Sequence, residues 1–312
     1  MKATSFLLIL AATLAALVTT AAEKKADRPK GERVKAESVH LVEADLKTAE
    51  HVFKKTPQGE LKLHFHFPPG WNADDKRPAI LFFFGGAWKH GTALQFLPQA
   101  EYLATRGLVT VRADYRIESQ HHTTPDKCIE DAKSAMRWLR AHAAQFGVDP
   151  QKIISSGGSA GGHLAAALAL VPGFDSPDDD LKVSCMPNAM VLFNPALDFP
   201  DHGVKDEKGE NLSAKFWPTP FLKKGVPPAI IFFGTSDQMA PQGREYIGKS
   251  AGVGSRAELW MAADMPHGFF NRQPWTSATV IQADRFLASL GYLKGEPTLK
   301  PADEKAVLKR AE

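Results

Sequence analysis

At 312 residues the chain has the length of one α/β domain, and its 44% hydrophobic and 23% charged content is that of a soluble globular protein with a sizeable core. A formal net charge of +3 at pH 7, with no block of basic residues, argues against a nucleic-acid partner.

The N-terminus stands apart from the rest. Lys2 precedes the apolar run Phe6-Leu7-Leu8-Ile9-Leu10, which continues in Ala, Leu, Val and Thr to Val18. Thr20-Ala21-Ala22 then lead into Glu23-Lys24-Lys25. A basic start, an apolar middle and small residues at a cut site make residues 1–22 a secretory signal peptide. The apolar stretch is shorter than the roughly 20 residues of a spanning helix, so cleavage is expected and no stable membrane anchor. The protein should therefore be secreted or periplasmic, with a mature chain that begins near Glu23. In that setting Cys128 and Cys185, the only cysteines, are able to form one disulfide. Cys128 lies on the apolar stripe of a helix, however, and two free thiols are the simpler expectation.

Residues 23–60 are charged and poorly patterned and read as an N-terminal linker or extension. Leu61 to Phe67 alternates strictly, the mark of a half-exposed strand. His64 and His66 share one of its faces, but with no third ligand at suitable spacing that face reads as solvated, not metal-binding. Ala79 to Phe84 is a continuous apolar run, as in a strand buried on both faces. A helix is expected around Phe96 to Arg106 and a strand at Leu108 to Val111. From Pro125 to Phe146, Cys128, Ala132, Ala135, Met136, Leu139, Ala143 and Phe146 recur at helical spacing. Asp149-Pro150 leads into a strand at Ile153 to Ser155, followed by a glycine-crowded turn and an alanine-rich helix. Further strands are expected at Ala189 to Phe193, Ala229 to Phe233 and Ala257 to Met261, with helices at Arg244 to Ser250 and Thr276 to Leu290. This alternation implies a mostly parallel sheet with helices on both faces, spanning residues 61–293, and a polar tail at 294–312.

The glycine-crowded turn carries the chemistry. Gly157, Ser159 and Gly161 fit G-x-S-x-G, in which a serine sits on a strained strand-to-helix turn. A residue at φ > 0 at the tip brings the positions two before and two after into contact, so those are glycines. In open α/β sheets ligands bind beyond the carboxyl ends of strands. Asp237 and His267 both follow strands, and the order Ser, Asp, His is that of an elbow-type hydrolase. Ser159 needs a base to take its proton, His267 is that base, and Asp237 orients it. Asp198, after the strand ending at Phe193, is a rival acid, while His163 reads as a packed helix residue. The loop Phe84-Gly85-Gly86-Ala87-Trp88 would offer the backbone N–H groups of Gly86 and Ala87, with that of Ala160, to an oxyanion. No cofactor and no metal are implied.

The whole pattern resembles the α/β-hydrolase superfamily, and within it the hormone-sensitive-lipase-like and feruloyl/acetyl-xylan-esterase-like carboxylesterases. The resemblance runs from Leu61 to Leu293 and rests on Gly157-Gly158-Ser159-Ala160-Gly161-Gly162, Gly234-Thr235-Ser236-Asp237 and Pro266-His267-Gly268. Asp114-Tyr115-Arg116 is similar to the DYR element that supports the oxyanion loop in these enzymes. Phe84 stands where that loop usually has histidine, and Ala87 where it has a third glycine. The resemblance implies an α/β-hydrolase fold with a small or partial lid, for which Asp198 to Pro228 is the candidate, and hydrolysis of short-chain acyl esters. Within that lid Phe216, Trp217 and Phe221 are expected to offer stacking faces to a carbohydrate ester. A prolyl-oligopeptidase-like peptidase shares the triad order, and a non-catalytic binding module is the reading of another class.

Overall fold

The computed structural model describes residues 40–199 and 203–311; the expected signal peptide and the first part of the expected linker, residues 23–39, lie outside the described residues. Among the described residues nine strands form one sheet: β1 Thr48–Thr56, β2 Gly59–His66, β3 Arg77–Phe83, β4 Val109–Ala113, β5 Val148–Gly158, β6 Ala189–Phe193, β7 Ala229–Gly234, β8 Ala257–Ala262 and β9 Leu308–Arg310. Their spatial order is β1-β2-β4-β3-β5-β6-β7-β8-β9. The six from β4 to β8, with β3 among them, run parallel, and β1, β2 and β9 add antiparallel pairings at the two ends.

The α-helices among the described residues are α1 Leu97–Thr105, α2 Glu118–His121, α3 Pro125–Ala141, α4 Ala160–Leu170, α5 Ser213–Phe216, α6 Ala240–Gly252 and α7 Trp275–Ser289. The apolar runs of β3, β6 and β7 are buried on both sides, because helices cover both faces. Successive residues of β3 divide between two cores. Leu81 and Phe83 join α3 and α4, while Ile80 and Phe82 join α1 and α7. Helix α4, AGGHLAAALAL, is buried along its whole length, so small residues suit it: they let it lie close to β3, β5 and β6.

Four expectations need correction. The supposed linker contains β1, which forms a hairpin with β2 through Thr56-Pro57-Gln58-Gly59. Thr56 Oγ1 accepts the Gln58 N–H and donates to the Gly59 carbonyl, closing that turn. The polar tail contains β9, which pairs with β8. The helix from Pro125 ends at Ala141, and Ala143 to Phe146 form a separate 3-10 turn closed by Gly147 at φ 62°. Finally, His66 is buried, not solvated; burial, helped by Arg112, pushes its imidazole down to about 4.

One polar pin ties α1 to α7 inside the second core. Asp284 is fully buried and accepts from the Tyr102 hydroxyl at 2.6 Å and from Arg106 Nε at 2.7 Å. Burial, then the Asp284 carboxylate, pushes the Tyr102 phenol up to about 12. Removing one partner of a buried pair strands the other's charge and typically costs about 3–5 kcal/mol. Asp284→Ala should therefore lower the urea-unfolding free energy by about that amount, with the far-UV spectrum retained. A loss below about 1 kcal/mol would show that water reaches Arg106 and replaces the carboxylate.

Candidate active site

Ser159 sits between β5 and α4 at φ 53° and ψ −118°, a conformation disfavoured for any residue with a side chain. Two glycines make it possible. A Cβ on Gly157 would collide with the Gly161 carbonyl and lie 2.7 Å from the Phe83 carbonyl, and a Cβ on Gly161 would collide with the Phe83 and Phe84 carbonyls. The tip is then fixed by its own backbone. Ser159 N–H donates to the Phe193 carbonyl at 3.0 Å, and its carbonyl accepts from His163 at 2.9 Å and Ala196 at 3.2 Å.

Asp237 and His267 converge on this tip from the ends of β7 and β8. Gly234 permits the approach, since a Cβ there would strike the Met265 carbonyl. Ser236 N–H donates to that same carbonyl at 3.1 Å, joining the two loops. His267 Nε2 lies 2.9 Å from Ser159 Oγ, and Nδ1 lies 2.8 Å from Asp237 Oδ2. The second carboxylate oxygen of Asp237 accepts the Met239 N–H at 2.9 Å. The Asp237 side chain is 1% exposed and that of His267 38% exposed, so the carboxylate is sheltered and the imidazole open to the solvent side. Asp198, the rival acid, instead caps its backbone against Gln242 and has its carboxyl raised by burial and by Glu245.

Asn194 belongs to this group and was not anticipated. It follows β6 at φ 35° and is fully buried. Its Oδ1 accepts the Gly268 N–H at 3.2 Å, and its Nδ2 lies 3.4 Å from His267 Nε2. The only trace in the sequence is an asparagine directly after a strand, a residue type that tolerates positive φ.

The loop after β3 approaches Ser159 from the other side. Gly86, Ala87 and Trp88 all have positive φ, at 125°, 54° and 60°. The Gly86 carbonyl accepts from Lys89 at 3.0 Å and His90 at 3.1 Å, closing the loop on itself. Tyr115 stacks on Phe84 at 4.1 Å and its hydroxyl donates to the Phe84 carbonyl at 2.7 Å. Arg116 is held by the buried Asp131 at 2.8 Å, so the Asp114-Tyr115-Arg116 element braces this loop. Phe84 thus fills the usual histidine position as a packing residue against Tyr115.

A cavity of about 580 Å³ opens above these groups. Ala87, Ser159, Ala160, Asp237 and His267 form its reactive side, and Trp88, Phe199, Trp217 and Met239 its apolar side. Gly86 does not line it. Two of the three aromatic side chains expected to offer stacking faces, Phe216 and Trp217, are packed inwards. Phe216 is fully buried, stacked on His163 at 4.3 Å, and Trp217 meets Trp88 at 6.1 Å. Of the described aromatic residues between Asp198 and Pro228, Phe199 and Trp217 reach the cavity. Cys128 and Cys185 are both free, each with its thiol pushed up by burial.

Sheet order, elbow and cavity define a hydrolase of the α/β type. Residues 64–199 match the family model described as BD-FAE. Among characterised sequences, the "Probable carboxylic ester hydrolase LipM" of Mycobacterium tuberculosis is 29% identical over 240 residues, 68% of this chain and 54% of its own length. The chain thus spans about half of that relative. The apo form of Thermogutta terrifontis esterase 2 is 42% identical, with a TM-score of 0.75 over 80% of this chain and 97% of that one. The same esterase phosphonylated by cyclosarin gives 41% and 0.76 over 80% and 96%. With butyrate bound it gives 40% and 0.74 over 82% and 98%. The chain belongs to the α/β-hydrolase superfamily, among its esterases, and is a serine hydrolase.

His163 connects this site to acid stability. It is fully buried beside the elbow; Nε2 donates to the Phe216 carbonyl at 3.1 Å and Nδ1 meets no hydrogen-bond partner among the described residues. Burial, opposed weakly by that hydrogen bond, pushes its imidazole down to about 3. In the unfolded chain it would take up a proton near pH 6.5, roughly the ordinary value. Below that pH the unfolded state binds more protons, so stability is whole above about 6.5 and falls towards pH 3 at up to about 1.4 kcal/mol per unit. His163→Met should flatten the fall of Tm between pH 6.5 and pH 4. Parallel Tm curves for the two proteins would place the acid sensitivity elsewhere.

Proposed function

We propose that the chain is a carboxylesterase acting on short-chain acyl esters, acetyl esters of carbohydrate-like alcohols foremost, through Ser159, His267 and Asp237. What supports this is the unbroken chain of contacts from Asp237 through His267 to Ser159 at the edge of an open cavity. His267 Nε2 takes the Ser159 proton as Oγ attacks the ester carbonyl. The negative oxygen that forms is received by the backbone N–H groups of Ala160 and Ala87, which line the cavity, at the positive end of α4. His267 returns the proton to the departing alcohol, leaving an acyl-serine. Water then repeats the sequence, with His267 taking its proton, and releases the carboxylic acid. Asp237 keeps Nδ1 protonated, so that Nε2 is the basic nitrogen, and stabilises the imidazolium.

The size of the site favours a small acyl group. Trp88, Phe199, Trp217 and Met239 close the apolar side of the cavity with bulky side chains, and esterase 2 binds butyrate, a four-carbon acid. Phe199 and Trp217 offer faces to a sugar ring or to a feruloyl ring. Export to a secreted or periplasmic location is part of the proposal and rests on the Lys2 to Ala22 pattern alone. Sequencing the exported protein should find its first residue near Glu23; an intact Met1 in the membrane fraction would replace export by anchoring.

Ser159→Ala should fold normally and lose roughly 10⁴- to 10⁶-fold in kcat on p-nitrophenyl acetate, together with labelling by a fluorophosphonate. Retained hydrolysis would remove Ser159 as nucleophile. With acetyl, butyryl and octanoyl esters of one alcohol, kcat/KM should peak at acetyl or butyryl. Each methylene that found a pocket would add about 0.8 kcal/mol, or roughly fourfold. A steady rise to octanoyl would therefore reveal a long acyl channel.

A further inference from the structure

The oxyanion loop and the His267 loop leave different strands, and one side chain touches both. Gln95 lies in the 3-10 turn Ala93–Phe96, just beyond the oxyanion loop. Its Oε1 accepts the Gly85 N–H at 2.6 Å, and its Nε2 donates to Asn271 Oδ1 at 3.1 Å, across 176 residues of sequence. Asn271 Nδ2 donates in turn to the Gly268 carbonyl at 3.0 Å, one residue from His267. The three bonds fix both amides. Only Oε1 is able to accept from Gly85, which turns Nε2 towards Asn271, and only Nδ2 is able to donate to Gly268.

The Phe84–Gly85 peptide is therefore gripped from two sides. Tyr115 holds its carbonyl at 2.7 Å and Gln95 its N–H at 2.6 Å, two residues before the proposed donor Ala87. Beneath the strap Phe96 stacks on Phe270 at 5.7 Å, and a Cβ on Gly158 would touch the Phe270 ring, so the two loops share an apolar floor. That floor holds the loops together but does not orient their peptides, since ring contacts slide and hydrogen bonds do not. The Gln95–Asn271 bond is exposed to solvent, where water replaces it at small loss of stability. What water does not replace is the fixed distance between the two loops.

We infer that Gln95 and Asn271 form a positioning strap that sets the oxyanion donors against His267. The inference rests on the proposed roles of Ser159, His267 and the oxyanion amides. A tetrahedral oxygen needs its donors in place while His267 is aimed at the attacking and leaving oxygens, and small misplacements of such groups cost roughly 10²-fold in rate. The strap acts on that shared geometry and touches no substrate atom.

The test uses the full chain, p-nitrophenyl acetate and a trifluoromethyl ketone that forms a hemiketal with the active serine. Gln95→Ala should lower kcat by roughly 10- to 100-fold with KM within about twofold, and weaken the ketone by the same factor as kcat/KM. Gln95→Glu keeps the acceptor for Gly85 but confronts Asn271 with a second oxygen, so it should recover part of the loss. Asn271→Ala, at an exposed site that leaves Gly85 capped, should lower kcat to an intermediate level, and this variant carries the test if Gln95→Ala does not fold. The double variant should be no worse than Gln95→Ala, because both changes cut one strap. Wild-type kcat in both single variants, with Ser159→Ala inactive, overturns the strap alone. Losses that track a fall in Tm, with ketone affinity unchanged, also overturn it by making the pair structural. An active Ser159→Ala would instead bring down the functional reading on which the strap depends.

Discussion

The backbone of Ser159 is the constraint from which the rest of the site follows. Holding a serine at φ 53° costs on the order of 1–3 kcal/mol, and the chain must over-determine that residue to keep it there. Three backbone hydrogen bonds to Phe193, His163 and Ala196 do so, drawing β6 and its following loop to the elbow. The two glycines that clear space for the turn also bring α4 against the Phe83 and Phe84 carbonyls, where β3 gives way to the loop Gly85 to Trp88. One strained residue thus fixes the relation of β3, β5, β6 and α4, and its hydroxyl leaves at the single point where all four meet.

The same contacts explain why the strands buried on both faces had to be apolar and the loops beyond them polar. A parallel sheet covered by helices gives no solvent to its central strands, so β6 and β7 carry nothing that needs water. Polar function is left to the carboxyl ends, where Asn194, Asp237 and His267 follow β6, β7 and β8 in turn. Asp237 and Asn194 are buried there yet fully engaged, as burial of polar groups requires.

What was legible in the sequence was what depends on local pattern. The apolar runs of β3, β6 and β7, the helical stripe from Cys128 to Leu139, and the glycine spacing around Ser159 each encode their structure within a few residues. The strands β1 and β9 do not. β1 buries only Phe53 among charged neighbours, and β9 is three residues long, so both exist through pairing with a partner strand and leave almost no periodicity. The aromatics of the 198–228 segment failed for a related reason: surrounding lysines and aspartates suggest exposure, and only the tertiary position of His163 shows why Phe216 and Trp217 turn inwards. Asn194 and Gln95 were missed because a lone amide carries no spacing rule.

His163 then shows how the elbow and the cavity wall come to depend on one another. The residue is carried by the first turn of α4, and its own N–H bonds the Ser159 carbonyl. Its ring is stacked by Phe216, meets Trp88 edge-on at 5.2 Å and Trp217 at 5.6 Å. Trp88 belongs to the oxyanion loop and Trp217 to the cavity wall, so one imidazole is the packing centre for three separately encoded segments. A neutral, planar ring with one donor suits that place: it satisfies the Phe216 carbonyl and presents flat faces to aromatic neighbours. A leucine would fill the volume but strand that buried carbonyl, and a charged side chain would have to be desolvated without a partner. The wall of the cavity is therefore fixed from behind by the residue that helps fix Ser159, and the cavity and the elbow are set by one packing decision.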